Sequence, residues 1–325
     1  MEHQKVFITD CDQGSVDEER AVFGNSGFDL NWLQIKDEGE IIAQCHDADG
    51  LLIQYAPLPR RVLEALPRCK VVSRYGVGVD TVDVGAATDL GIIVANIKDY
   101  CVDEVSTQTL ALFLSWVRKV IITDRSIKAG TWDFRVAIPI HRLAGMTYGI
   151  VGCGKIGQEV ARRVSILGLR VIGYDPYVTE AEGIRLVSFE ELLAESDFIS
   201  IHCSLTESTH HLFGRDEFRN MRRNPLVMNL SRGAVIDEEA FIEALEKGWV
   251  CGAALDVLEK EPPDPKSQLL KRENVILSPH IGYYSEESRS EMKRRTAENV
   301  LFVLTGRLPP SVVNREVLGR SRAGL

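Results

Sequence analysis

Three glycines near the middle of the chain are spaced as in a turn that binds a dinucleotide. Gly152, Gly154 and Gly157 form the pattern G-x-G-x-x-G directly after a short apolar run. Because glycine has no Cβ atom, such positions allow a tight turn, a close approach to a pyrophosphate, and close packing of helix on strand. The free N–H groups at the start of the following helix favour phosphate. The pattern predicts a dinucleotide site, although similar turns also make ordinary strand-to-helix connections.

An acidic residue at the end of the next apolar run strengthens this prediction. Asp175 lies 18 residues beyond Gly157. A carboxylate at this position can accept hydrogen bonds from an adenosine ribose and would repel a 2′-phosphate, which favours NAD over NADP. The stretch from Thr147 to Asp175 therefore predicts a complete βαβ unit with NAD as its cofactor.

Three polar residues in the second half of the chain could perform chemistry beside such a cofactor. Arg232, Glu261 and His280 each stand at or just after a predicted strand end. Arginine offers a planar, two-point fit to the carboxylate of a substrate that accepts hydride. Histidine can donate a proton near neutral pH, and a nearby carboxylate would stabilise its charged form. Together the three residues predict a general acid, its partner and a substrate anchor.

Each of these residues also has an ordinary structural explanation when it is taken alone. Arginine is often exposed, glutamate often caps a helix, and a histidine at a strand end is often merely hydrogen-bonded. Three other histidines are weaker candidates for a catalytic or metal-binding role: His202, His210 and His211. The last two are adjacent, so their side chains would diverge on any regular element, and we expect no metal site there.

Composition and charge narrow the classes of function. The chain has 325 residues, of which 45% are hydrophobic and 26% charged, which argues against disorder and leaves room for two domains. The net charge of −9 argues against a broad nucleic-acid surface. No apolar run approaches the roughly 20 residues of a membrane span. The first residues show no basic and apolar leader, so we expect a cytoplasmic protein.

Cysteines suggest neither a disulfide framework nor a zinc site. The seven cysteines include no C-x-x-C pair and are scattered singly: Cys11, Cys45, Cys69, Cys101, Cys153, Cys203 and Cys251. Reduced thiols in the cytosol are the expected state. Cys153 and Cys203 fall in the turns predicted to line the cofactor, but no neighbouring residue marks either one as a nucleophile.

Short apolar runs alternate with helical patterns along the whole chain, which predicts two doubly wound parallel sheets. In the first half the predicted strands are 6–8, 32–35, 51–54, 71–73 and 92–95, and the predicted helices are 17–23, 60–66 and 82–90. In the second half the predicted strands are 148–151, 198–202, 226–230, 251–255 and 275–277, and the predicted helices include 155–167, 236–246 and 285–304. Residues 103–129 contain neither proline nor an interior glycine and predict one long helix.

Three longer segments together resemble the D-isomer-specific 2-hydroxyacid dehydrogenase family. They are GIVGCGKIGQEVARR with YDP, NLSRGAVIDEEAFIEAL, and ALDVLEKEPP followed by NVILSPHIGYYS. The resemblance implies a Rossmann-type NAD-binding domain at 103–284 and a discontinuous, flavodoxin-like substrate-binding domain at 1–102 and 285–325. It also implies reversible hydride transfer between NADH and a small 2-oxo acid, with the protein as a homodimer.

The resemblance also assigns roles to individual residues. Arg232 would bind substrate, Glu261 would pair with His280, and His280 would act as the general acid and base. The positions that it implies for substrate binding are Arg74, Val77, Gly78 and Tyr283. The positions that it implies for cofactor binding are Gly152, Gly154, Lys155, Ile156, Gly157, Asp175, Cys203, Ser231 and Asp256.

Two features leave the substrate and the class of protein open. The segments HCSLTESTHHL and PHIGYYSEESRSEM are similar to the C-terminal binding protein branch of the family, which has tryptophan where this chain has Tyr283. That branch contains corepressors, so an NAD(H)-sensing interaction protein is an alternative. Phosphoglycerate dehydrogenase is another alternative because Arg74 could meet a phosphate, and a glyoxylate or hydroxypyruvate reductase is a third.

Overall fold

The structure is a computed structural model that describes residues 4–24 and 27–325. The strands in these residues are β1 (Gln4–Ile8), β2 (Phe28–Trp32), β3 (Gly50–Ile53), β4 (Val71–Arg74), β5 (Ile93–Ala95), β6 (Thr147–Val151), β7 (Arg170–Tyr174), β8 (Arg185–Leu186), β9 (Phe198–Ile201), β10 (Leu226–Asn229), β11 (Gly252–Leu255) and β12 (Val275–Leu277). The α-helices are α1 (Asp17–Phe23), α2 (Glu38–Cys45), α3 (Arg60–Glu64), α4 (Val84–Asp89), α5 (Val102–Val117), α6 (Val120–Lys128), α7 (Lys155–Ser165), α8 (Phe189–Glu195), α9 (Arg215–Arg219), α10 (Glu238–Lys247) and α11 (Glu286–Leu304).

The chain folds as two compact units. Unit 1 comprises Met1–Tyr100 and Ser285–Leu325, and unit 2 comprises Cys101–Tyr284. The corresponding sequence ranges, 1–102 with 285–325 and 103–284, are predicted to bind substrate and NAD, respectively. Residues 1–3 and 25–26, which the prediction includes in the substrate-binding domain, lie outside the described residues.

Unit 1 contains a five-stranded parallel sheet in the order β2-β1-β3-β4-β5. This is the flavodoxin-like order, so the predicted fold class of this unit is confirmed. The central strands β3 and β4 are buried along their whole length, as expected when helices cover both faces of a parallel sheet.

The structure of unit 1 differs from the prediction at one strand and contains one helix that was not predicted. The second strand ends at Trp32 instead of spanning 32–35, although the N–H groups of Leu33 and Ile35 still donate to the carbonyls of Ile8 and Thr9. Helix α2 was not predicted. It begins after Asp37, whose side chain accepts hydrogen bonds from the first turn of the helix.

Helix α11 joins unit 1 through a buried cation. The Lys293 side chain is fully buried and donates a hydrogen bond to the Ser15 carbonyl at 2.6 Å. It also forms ion pairs with Glu18 and Glu19 of α1, and the second pair measures 3.6 Å. A buried charge requires such partners, and these tie the C-terminal helix to the N-terminal part of the chain.

Unit 2 contains a seven-stranded parallel sheet in the order β12-β11-β10-β9-β6-β7-β8. Its first strand, β6, lies at the point where the strand order reverses, with β7 on one side and β9 on the other. This is the Rossmann arrangement with one additional strand, so the fold class predicted for this unit is also confirmed.

The helix predicted over 103–129 is two helices. Helices α5 and α6 are bent by 59° relative to each other, and Lys119 between them has the left-handed φ of +57°. A non-glycine residue with positive φ ends an α-helix. No single helix in residues 4–24 and 27–325 has the length and apolar character to cross a membrane, and the bent pair α5–α6 passes on length and composition alone.

Candidate active site

The glycine turn has the geometry that a bound pyrophosphate requires. A Cβ atom on Gly152 would lie 2.5 Å from the backbone nitrogen of Cys203, and one on Gly157 would lie 2.1 Å from the carbonyl oxygen of Gly152. A Cβ on Gly154 would meet no atom within 4 Å, so this glycine faces open space at the start of α7. Lys155 and Ile156 supply the next backbone positions of that helix. The residues present therefore fit a dinucleotide at the helix N-terminus.

Asp175 follows β7 and reaches back to the glycine turn. One carboxylate oxygen accepts a hydrogen bond from the Cys153 N–H at 2.9 Å, and the other accepts one from the Tyr177 N–H at 2.9 Å. A carboxylate has about four acceptor positions, so both oxygens can accept further hydrogen bonds from a ribose. The two backbone bonds hold the carboxylate beside the turn.

The turn after β10 is shaped by a residue that the sequence analysis missed. Asn229 is fully buried, and its side chain accepts hydrogen bonds from both the N–H and the hydroxyl of Ser231 and donates to the Arg232 carbonyl at 2.8 Å. These bonds fix the backbone conformation of the turn that carries the half-buried Arg232 side chain. An asparagine that ends an otherwise apolar strand is a known turn former, and this signal could have identified it.

The loop that carries His280 is held by a buried carboxylate. Asp256, after β11, accepts hydrogen bonds from the Ser278 hydroxyl at 2.5 Å, the Ile281 N–H at 3.1 Å and the Gly282 N–H at 2.7 Å. The N–H of His280 donates to the Asp256 carbonyl at 2.8 Å. These bonds hold His280 at a φ of +55°, a conformation that non-glycine residues adopt rarely. Strain of this kind is typical of functional sites.

His280 and Glu261 form a close pair, and the positive charge of Arg232 acts on Glu261. Nδ1 of His280 is 2.7 Å from one Glu261 oxygen, and the other Glu261 oxygen accepts from the Leu258 N–H at 3.0 Å. Burial alone would raise the pKa of Glu261, but the hydrogen bond from His280 and the positive charges of His280 and Arg232 lower that pKa below its usual value. Glu261 is therefore ionised at neutral pH and can hold the imidazole with Nε2 as the atom that exchanges a proton.

Tyr283 lies near this histidine. The centres of the two rings are 6.4 Å apart and the rings are almost perpendicular, with an interplanar angle of 79°. This is the edge-to-face geometry that aromatic rings prefer, so Tyr283 can form one wall beside the imidazole.

All the candidate residues of unit 2 share one edge of its sheet. They follow the carboxyl ends of their strands, which is where ligands bind in open α/β sheets. In chain order these residues are Gly152 and Gly154 after β6, Asp175 after β7, Cys203 after β9, Ser231 and Arg232 after β10, Asp256 and Glu261 after β11, and His280 and Tyr283 after β12.

The candidate substrate turn of unit 1 is equally ordered. Arg74 ends β4, is only 8% exposed, and donates through Nε to the Gln54 carbonyl at 3.2 Å. A Cβ on Gly76 would lie 2.2 Å from the Arg74 guanidinium, so only glycine lets that group lie across the backbone. Val77, next to Gly78, accepts a hydrogen bond at its carbonyl from the buried Asn96 side chain. The turn is thus fixed by contacts within unit 1.

The remaining candidates for proton transfer or nucleophilic attack are poorly suited to it. Nδ1 of His202 is buried without a hydrogen-bond partner, and burial lowers the pKa of this histidine to about 4. Burial raises the pKa of the Cys153 thiol to about 12 and that of the Cys203 thiol to about 11. At neutral pH His202 is uncharged and both cysteines are protonated, so none of them is ready for such a role.

Comparison with known proteins identifies the family. A family model described as the D-isomer specific 2-hydroxyacid dehydrogenase NAD binding domain matches residues 110–282. A glyoxylate reductase of Korarchaeum cryptofilum is 41% identical over 286 residues, which cover 86% of each chain. This chain belongs to the D-isomer specific 2-hydroxyacid dehydrogenase family. The resemblance stated from the sequence is thereby confirmed.

Other members of the family resemble the chain over different shares of their length. A D-3-phosphoglycerate dehydrogenase of Methanocaldococcus jannaschii is 40% identical over 291 residues, which are 88% of this chain but 55% of that relative. The crystal structure of a D-lactate dehydrogenase from Aquifex aeolicus, complexed with NAD and lactic acid, is 26% identical and superposes with a TM-score of 0.86. That superposition covers 96% of this chain and 99% of the other.

The biochemical class follows from the family. As a D-isomer specific 2-hydroxyacid dehydrogenase, the protein is an oxidoreductase that uses NAD and acts on a D-2-hydroxy acid. The predicted enzyme class and cofactor are confirmed. The glycine turn described above is the part of unit 2 that fits this cofactor.

Proposed function

We propose that the protein reduces a small 2-oxo acid to the D-2-hydroxy acid, reversibly, with His280 as general acid and base. The observation that carries this proposal is the 2.7 Å contact between His280 Nδ1 and Glu261, beside Arg232 and on the same sheet edge as the glycine turn. Bound NADH supplies the hydride. His280 then donates a proton from Nε2 to the carbonyl oxygen, and Glu261 stabilises the imidazolium and keeps the ring oriented.

Arg232 is the residue that would orient the substrate. Arg232 would bind the substrate carboxylate through its planar fork, which fixes the angle at which the neighbouring carbonyl meets the hydride. Arg74 with the backbone of Val77 and Gly78 would bind substrate from unit 1, and Tyr283 would limit the size of the substrate side chain. In this assignment unit 1 is the substrate-binding domain and unit 2 the NAD-binding domain.

The substrate proposed first is glyoxylate, which is supported by the relative named glyoxylate reductase. The test is NADH oxidation with glyoxylate, hydroxypyruvate, phosphohydroxypyruvate, pyruvate and larger 2-oxo acids, repeated with NADPH. We expect a small 2-oxo acid to give the highest kcat/KM and NADH to be preferred because of Asp175. A clear preference for phosphohydroxypyruvate would favour the phosphoglycerate dehydrogenase alternative, and a preference for NADPH would contradict the role of Asp175.

We propose that the protein is a homodimer and that residues 119–140 form part of the dimer contact. Helix α6 has no buried residue, and the segment after it exposes large apolar side chains. These side chains, with their exposed fractions, are Val120 (51%), Ile127 (49%), Trp132 (87%), Phe134 (78%) and Ile138 (63%). A monomer rarely exposes apolar residues in such a continuous group, and a second copy of the chain would cover them.

Sedimentation velocity tests the dimer and also separates the enzyme from an NAD(H)-sensing interaction protein. We expect a dimer with and without NADH, and a monomer when Trp132 and Phe134 are both changed to serine. Leu308→Ser, at an exposed apolar residue of unit 1, is the matched control and should remain dimeric. A monomer that dimerises only when NADH is added would favour the sensor, and a dimer that survives the double change would exclude this contact.

We propose a cytoplasmic location. None of the seven cysteines, all of which lie in the described residues, forms a disulfide bond, and five of them are buried, which suits a reducing compartment. Cell fractionation would test this, and recovery of the protein from an oxidising compartment would contradict it.

A further inference from the structure

Two histidines and a glutamate form a compact cluster outside the residues assigned to the active site. His210 and His211 lie in the segment after β9, and Glu259 lies in the segment after β11. Nε2 of His211 is 2.7 Å from a Glu259 oxygen, and the centres of the two imidazole rings are 4.0 Å apart. One potential ligand atom from each residue lies within 4.8 Å of the others. The three potential ligand atoms are therefore close enough to one another to share one metal ion.

The backbone explains why two adjacent side chains converge. Neighbouring side chains diverge on a regular helix or strand, so the sequence alone predicts no metal site here. His211 instead has the left-handed φ of +51°, so the segment is not a regular element. The N–H of His211 donates to the Ala234 carbonyl at 2.8 Å, and that of His210 donates to the Thr206 carbonyl at 2.9 Å. These bonds hold both residues where their rings face each other.

Glu259 is positioned from a different part of the chain. Its second carboxylate oxygen accepts a hydrogen bond from the Glu238 N–H at 3.1 Å. The preceding residue, Leu258, is packed so closely on the turn after β10 that a Cβ on Gly233 would lie 1.9 Å from its carbonyl. Backbone contacts thus orient the carboxylate before any ion binds. In known metal sites, hydrogen bonds from surrounding groups orient the ligands in the same way. About a third of the side chain remains exposed on both His211 and Glu259, so ions in solution can reach them.

We propose that His210, His211 and Glu259 bind a divalent transition-metal ion of the zinc, cobalt or nickel class. Imidazole nitrogen suits these ions, whereas magnesium and calcium prefer sites made of oxygen alone. Three protein ligands leave one position of a tetrahedral site for water. The ion would replace the direct contact between His211 and Glu259 and would link the segments that follow β9 and β11.

Titration of the full-length, chelator-treated protein with cobalt and then with zinc tests the proposal. We expect one cobalt ion per chain with visible absorption of a low-symmetry, nitrogen- and oxygen-ligated centre, and displacement of cobalt by zinc. The unfolding temperature should rise with the metal, because binding to the folded state alone stabilises it. An absorption band of cobalt bound to a thiolate would place the ion on a cysteine and overturn the proposal.

Variants locate the site. His210→Gln, His211→Gln and Glu259→Gln should each weaken cobalt binding by at least about tenfold, the lower limit seen even when a residue that only supports a ligand is lost. His141→Gln, at an exposed histidine of the same unit, is the control and should bind cobalt as the wild type does. An exposed ion pair contributes little to stability, so the metal-free variants should unfold at the wild-type temperature. Unchanged affinity in His211→Gln or in Glu259→Gln would overturn the site.

Discussion

His280→Ala is expected to lower kcat for reduction of the preferred 2-oxo acid by about 10²- to 10⁴-fold, which is the usual contribution of a positioned general acid. The physical reason is that neither Glu261 nor His202 can replace it as the proton donor. Glu261 contacts the imidazole at Nδ1 rather than at Nε2, the atom that exchanges the proton, and His202 is uncharged because burial lowers its pKa to about 4. Steady-state kinetics at saturating NADH measures the effect.

His280→Ala should slow the proton-transfer step and leave NADH binding unchanged. NADH binding, followed by its fluorescence, should stay close to that of the wild type because His280 belongs to the loop after β12 and not to the glycine turn. His141→Ala, at an exposed histidine, should retain wild-type turnover. Near-normal turnover of His280→Ala with every 2-oxo acid tried would reject this residue as the acid, whereas lost NADH binding would point to a misfolded unit.

Arg232→Met is expected to lower kcat/KM by about 30- to 4,000-fold, because loss of one partner of a desolvated, hydrogen-bonded charge pair costs roughly 2–5 kcal/mol. Arg232→Lys should recover only part of this loss, since an ammonium group cannot make the two parallel hydrogen bonds of a guanidinium. Measurement of kcat and KM separately, with the 2-oxo acid as the varied substrate, shows how the loss is divided.

The same change has a second consequence that identifies Arg232 specifically. The positive charge of Arg232 helps to lower the pKa of Glu261. The Glu261 pKa should therefore rise in Arg232→Met. It should remain unchanged in Arg222→Met, which replaces an exposed arginine of the same unit. The pH profile of kcat/KM should therefore change on its acidic side, where Glu261 becomes protonated, in the first variant only. Wild-type kcat/KM in Arg232→Met would exclude the arginine as the substrate anchor.

Local sequence patterns predicted a large part of this molecule. The glycine turn, the two parallel sheets and the polar residues at strand ends depend on residue types within a few positions of each other, and such patterns survive in a single sequence. The prediction of one helix over residues 103–129 was wrong for a physical reason. Lysine is a good helix former, so nothing local indicates that Lys119 adopts a left-handed conformation with its amine 3.8 Å from the centre of the Trp116 ring.

The family, the NAD cofactor and both fold classes were therefore determined by the sequence alone, because short motifs indicate each of them. The orientation of the candidate catalytic and metal-binding side chains was decided only by the tertiary structure. Asp256 orients the His280 loop through side-chain hydrogen bonds to Ser278, Ile281 and Gly282, which are distant from it in sequence. The rings of His210 and His211 converge, and meet Glu259, because His211 has a positive φ. Contacts between residues distant in sequence, and backbone conformations that only those contacts stabilise, leave no periodic pattern in the chain.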